Sequence, residues 1–105
     1  MDLPKFFSIM NDETPTIFKG FFDMAGAIQK DGGLDEKTFQ LIYIAIKASQ
    51  GTDGLGSVVA HTAMAKKAGA TREEIRGAVL VSLMTDGLTG VSSCLEAALD
   101  AYDNA

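Results

Sequence analysis

One histidine, one cysteine and a few polar side chains at helical spacing are what this chain offers for chemistry. His61 is the only histidine among 105 residues. It lies in Gly56-Ser57-Val58-Val59-Ala60-His61-Thr62-Ala63-Met64-Ala65, a small-residue stretch with a helical pattern. Histidine titrates nearest neutral pH, so His61 is a candidate general acid/base, although a lone histidine also fits a purely structural place. No second histidine and no cysteine cluster accompanies it, so no metal site is predicted. Asp53, Ser57 and His61 recur every four residues and would share one face of a helix. A serine nucleophile does not follow. In a triad the acid contacts the far nitrogen of the histidine, whereas here Ser57 would lie between acid and base, and Asp53 reads as a cap ahead of the helix. Gly51-Thr52-Asp53-Gly54-Leu55-Gly56-Ser57 is glycine-rich and opens that helix. It has no Gly-Lys-Ser/Thr ending and no preceding strand, so it predicts an interhelical turn and not a nucleotide loop. A helix start of this kind still leaves room for a ligand carboxylate or phosphate beside His61. Cys94 follows the apolar phase of its segment and reads as a small buried hydrophobe. One cysteine provides neither an internal disulfide nor a dithiol. Chemistry at Cys94 alone would need a depressed pKa and solvent access.

The elements that must position these residues are helices. Glycine and proline punctuate the chain, and the segments between them have helical length and spacing. A first helix is predicted over about residues 3–10. Thr14-Pro15 starts a second, with Thr14 as the cap, running to about Lys30 and ended by Gly32-Gly33. Its stripe of Ile17, Phe18, Phe21, Phe22, Ala25 and Ile28 is expected in the core, as are the methionines. Asp35 caps a third helix reaching about Gln50, apolar on nearly every side over residues 41–46. A fourth covers about residues 56–68, with Gly69 past its end. Thr71-Arg72-Glu73-Glu74 matches a capping box and opens a fifth helix reaching about Thr85. After a break over residues 87–90, a sixth carries Val91, Cys94, Leu95, Ala98, Leu99 and Tyr102. The tight Gly69 connection predicts an antiparallel pair of helices four and five. No strand is expected: the fold class is all-α, about six helices around a central antiparallel hairpin.

Composition limits the partners. The length suits one domain, with short N-terminal helices over residues 1–33 ahead of the main body. Hydrophobic residues make up 47% and charged residues 22%, which excludes a fully disordered chain. The net charge of -5 and the lack of any basic cluster beyond Lys66-Lys67 argue against nucleic acid. No window approaches the roughly 18 apolar residues of a membrane span. With no secretory pattern at the N-terminus and a lone cysteine, the protein is expected to be cytoplasmic. A domain this small buries only about two-thirds of its unfolded surface. Helices three and five are apolar on more than one face, so self-association is expected.

The order of features resembles the carboxymuconolactone decarboxylase and alkylhydroperoxidase D-like family. The resemblance rests on an apolar helix, a glycine turn, the helix of His61, and then Ala68-Gly69-Ala70-Thr71-Arg72-Glu73-Glu74-Ile75. It runs over about residues 35–102. It implies the alkylhydroperoxidase D-like all-α fold and homo-oligomers, commonly trimers or hexamers. The peroxidase branch of the family has Cys-x-x-Cys-x-x-x-His on this helix. Counted back from His61, those cysteine positions are Gly54 and Ser57, so the thiols are absent. That branch also has a glutamate on the preceding helix, aligned here with Gln40, and glutamine cannot move a proton as glutamate does. The decarboxylase branch keeps the histidine and a carboxylate one turn before it, where this chain has Ser57. The resemblance therefore implies His61 as general acid/base on a small carboxylated or lactone substrate, oriented by Ser57 and Gln40. Asp53 is the weaker candidate, and Asp53 or Asp86 could stand in for the missing glutamate. No cofactor is expected. The alternative is a non-catalytic ligand-binding or assembly protein that retains the fold.

Overall fold

The structure is a computed structural model and describes residues 4–105. Leu3, assigned above to the first helix, lies outside the described residues. The chain forms α1 (Lys5–Glu13), α2 (Pro15–Asp31), α3 (Glu36–Ala48), a 3-10 turn (Gly51–Gly54), α4 (Leu55–Lys67), α5 (Arg72–Asp86) and α6 (Leu88–Asn104). No strand occurs among the described residues, so the fold is all-α. No described helix is long and apolar enough to cross a membrane.

Two compact units divide at Leu34/Asp35. In the first, α2 folds back on α1 and the rings of Phe7, Phe18, Phe21 and Phe22 pack on one another. The Phe7–Phe22 centroids are 5.4 Å apart and those of Phe18–Phe22 are 4.9 Å apart. The stripe expected in the core is not buried. Neither helix holds a buried residue, and Ile17, Phe21, Met24 and Ile28 are exposed. Two helices can cover only the seam between them. Thr14 also departs from its expected role. Its side chain makes no cap to α2, and its hydroxyl donates back to the Met10 carbonyl at 2.9 Å.

The second unit is a four-helix bundle. Side-chain pairs give the register. Gln40 meets His61 and the end of α3 meets Gly54, so α3 and α4 are antiparallel. Arg72 meets Asp103 and Ser82 faces Gly90, so α5 and α6 are antiparallel as well. The α3–α4 pair packs on α6 through α4 and on α5 through α3. Consequently α4 and α5, expected to pair through the Gly69 turn, stand on the diagonal and scarcely touch. The short connection makes them antiparallel without making them neighbours.

Core positions recur about every four residues: Gln40, Ile44 and Ala48; Val58, Thr62 and Ala65; Ile75, Val79 and Ser82; Gly90, Cys94 and Ala98. Many are small, which lets the helices approach closely. A Cβ at Gly90 would press on the Ala48 carbonyl and the Ser82 hydroxyl. The α4–α5 connection follows local chemistry. Gly69 takes φ 99°, Gly69 N–H donates to Lys66 and Ala70 N–H to Ala65, closing the helix end. Thr71 and Glu74 then form the expected capping box. Tyr102 Oη reaches the Ala70 carbonyl at 2.9 Å, and Arg72 pairs with Asp103. The sixth helix starts at Leu88, earlier than expected, because only Gly87 at φ 66° breaks the backbone.

Candidate functional site

His61 lies half-buried in the α3–α4 seam. Asp35 starts α3 by accepting from Thr38 N–H at 2.7 Å, and from that start Glu36, Gln40, Tyr43 and Lys47 fall on one face. The α3–α4 turn brings His61 against that face. Gly54 permits the tight approach, since a Cβ there would overlap the Lys47 carbonyl oxygen.

His61 Nδ1 lies 2.6 Å from Gln40 Oε1. Gln40 Nε2 donates to Glu36 Oε1 at 3.2 Å. Gln40 is 1% exposed, so both ends of its amide are satisfied within the protein. The Tyr43 ring stacks on the imidazole with centroids 3.7 Å apart and planes 19° apart. The Lys47 ammonium lies 5.9 Å from the Tyr43 centroid. Burial, and then the charge of Lys47, hold the His61 pKa below its ordinary value, while Glu36 pulls it upward. An amide oxygen only accepts, so Nδ1 carries the proton and Nε2 is the nitrogen left for other chemistry.

Of the residues singled out in the sequence, Gln40 is brought to His61 and the others are not. Ser57 is half-buried one turn before His61, and Asp53 is exposed in the 3-10 turn. Among the described residues no hydrogen bond or ion pair joins either to His61. Asp53 is not a cap. Helical backbone runs through Gly54 into Leu55, the α4 cap residue is Gly54, and no side chain caps the helix. Asp86 pairs weakly with its neighbour Thr85 at the far end of α5. The carboxylate connected to His61 is Glu36, acting through Gln40, and sequence reasoning missed it together with Tyr43 and Lys47. The available signal was their spacing from Gln40: four before, three after and seven after, on one helical face.

Cys94 is fully buried, its thiol points to the Gly51 carbonyl at 3.5 Å, and burial pushes its pKa up. These surroundings oppose nucleophilic chemistry at that sulfur. A shallow depression of about 350 Å³, lined by Glu36, Met64, Lys67 and Ala68, opens beside the seam. Among the described residues no three His, Cys, Asp or Glu side chains gather as a metal site would require.

The carboxymuconolactone decarboxylase family model matches residues 15–100. The match takes in α2, which the resemblance over residues 35–102 left out. Neither the curated proteins nor the solved structures give a significant match. With that match across most of the chain, an all-α bundle, and a lone histidine held by α3 on the helix before the Gly69 turn, the chain belongs to the carboxymuconolactone decarboxylase family.

Proposed function

We propose that His61 acts as a general acid/base on a small carboxylated or lactone substrate, in a site without thiols. The observation that carries this reading is the 2.6 Å contact of Nδ1 with the buried Gln40 amide, which fixes the ring and leaves Nε2 for substrate. With its pKa held below the ordinary value, the resting ring is neutral at pH 7 and Nε2 is a base. Lys47 places a cation near the ring, which favours an anionic substrate. Gln40, expected to orient the substrate, has both ends of its amide bonded within the protein and orients the imidazole instead. Ser57, one turn before His61, would orient the substrate. Cysteine-pair peroxide reduction has no thiols here, because Gly54 and Ser57 occupy the two positions.

The test is a turnover assay over a panel of small carboxylates and lactones, followed by the same assay on His61→Ala. A positioned acid/base contributes about 10²–10⁴-fold, and a loss of that size is expected. Undiminished turnover by His61→Ala would overturn the mechanism.

One observation favours a second reading, a non-catalytic binding protein: the group on His61 is an amide, which does not move protons. In that case the panel gives binding without turnover.

We further propose that the chain works as a cytoplasmic homo-oligomer, a trimer or hexamer. Support comes from apolar side chains open to solvent: Ile46 at 57% on α3, Met84 at 86% on α5 and Leu88 at 71% on α6. Sedimentation should give a multiple of the 11.1 kDa chain, and a monomer at micromolar concentration would contradict it.

A further inference from the structure

The geometry points to Glu36 as a positioning residue that decides which nitrogen of His61 carries the proton, acting through the Gln40 amide. An ionised carboxylate only accepts. Gln40 must therefore turn its NH₂ toward Glu36, where Nε2–Oε1 is 3.2 Å. That turns Oε1 toward His61, and the 2.6 Å contact there demands a donor, so Nδ1 holds the hydrogen. A flipped amide would set its oxygen against the carboxylate and forfeit a charge-assisted hydrogen bond. At 1% exposure Gln40 has no water to compensate for the flip. Tyr43 stacks on the face of the ring, and the in-plane nitrogens lie outside that contact. Lys47 opposes a positive charge on the ring. A histidine side chain in water prefers its proton on Nε2, so Glu36 and Gln40 together reverse the ordinary tautomer. Orientation of a ring by the partner of its second nitrogen is a general device. Here the carboxylate acts at one remove, a helical turn before the amide. The consequence for turnover rests on the acid/base reading above, while the tautomer does not.

The experiment is histidine-specific ¹⁵N labelling of the untagged chain, in which all ring signals come from His61. In the wild type near neutral pH, the shifts should report Nδ1–H with an unprotonated Nε2. In Glu36→Gln, residue 36 can donate as well as accept, so the Gln40 amide is free to turn. The ratio of Nδ1–H to Nε2–H should fall about fivefold, the weight of one net hydrogen bond of about 1 kcal/mol. The double variant Glu36→Gln/Gln40→Glu puts an acceptor-only group directly on Nδ1 and should restore Nδ1–H. A wild-type ring protonated at Nε2 overturns the proposal without any variant, and so does a Glu36→Gln ring unchanged from wild type. If the ring behaves as described while no compound turns over, the acid/base reading falls and the role of Glu36 stands. If Glu36→Gln leaves the ring unchanged while His61→Ala abolishes turnover, the role of Glu36 falls and that reading stands.

Discussion

The two hairpins of the bundle bury similar stripes but use their polar side chains differently. In α5–α6 the polar groups close helix ends: Thr71 with Glu74, Arg72 with Asp103, Tyr102 with the Ala70 carbonyl. In α3–α4 they run across the seam between the helices, from Glu36 through Gln40 to His61, with Tyr43 stacked alongside. End-closing groups stabilise a fold wherever helices stop. A polar chain inside a seam is not needed for packing, since an apolar pair would serve there. The contrast marks the α3–α4 seam as the place where the proposed chemistry would sit.

The largest stability effect should come from the core of α5. Ile75 is fully buried, and Ile75→Ala should cost about 2–5 kcal/mol in chemical denaturation. The folded variant should keep the His61 ring shifts of the wild type. If they move, the core of α5 and the His61 seam are coupled. Next comes the attempt to rebuild a dithiol. Gly54→Cys with Ser57→Cys restores both family positions, but a side chain at 54 collides with the Lys47 carbonyl. A loss of about 1–3 kcal/mol and no peroxide reduction are expected. A stable, active double variant would show that the α3–α4 turn yields easily. Thr71→Ala removes one capping bond and should cost about 1 kcal/mol by thermal unfolding, with no change in His61 titration.

The smallest effect is the pH dependence, which His61 and three carboxylates divide. The folded pKa of His61 is lowered, so the unfolded chain binds the proton more readily. Stability from this group is present above about pH 6.5 and is lost as pH falls from there toward the lowered folded value. Asp35, Glu74 and Asp103 are also lowered, Asp35 and Glu74 by hydrogen bonds to capped helix starts and Asp103 by Arg72. Their contribution is present above the ordinary carboxylate range and disappears as pH falls through their folded values. Thermal unfolding against pH should therefore show an upper decline that His61→Gln abolishes and a lower one that it leaves in place.

Local chemistry was legible in the sequence where one stretch of chain decides the outcome. The Gly69 end of α4, the Thr71–Glu74 box and the Asp35 cap follow from residues within a turn of each other. Thr14 and Asp53 failed as caps because capping needs extended backbone at that residue, and what precedes each governs it. Thr14 turns back to Met10, and Asp53 lies in a 3-10 turn continuous with α4. The α4–α5 pairing failed because a tight connection fixes direction and not adjacency. The Phe stripe of α2 shows helical spacing, but spacing does not say what covers it. Gln40 reached the candidate site through family resemblance. Glu36 did not, because its link to His61 depends on the α3–α4 register, which the contact of Gly54 with the end of α3 sets in space.

His61 is proposed as a neutral base whose free nitrogen meets a small carboxylate or lactone. A pH titration of its ring signals by NMR, with and without the compound panel, tests this most directly. A midpoint below about 6.5 and a saturable shift with at least one compound are expected. A midpoint at or above that value, with a ring indifferent to every compound, would contradict it.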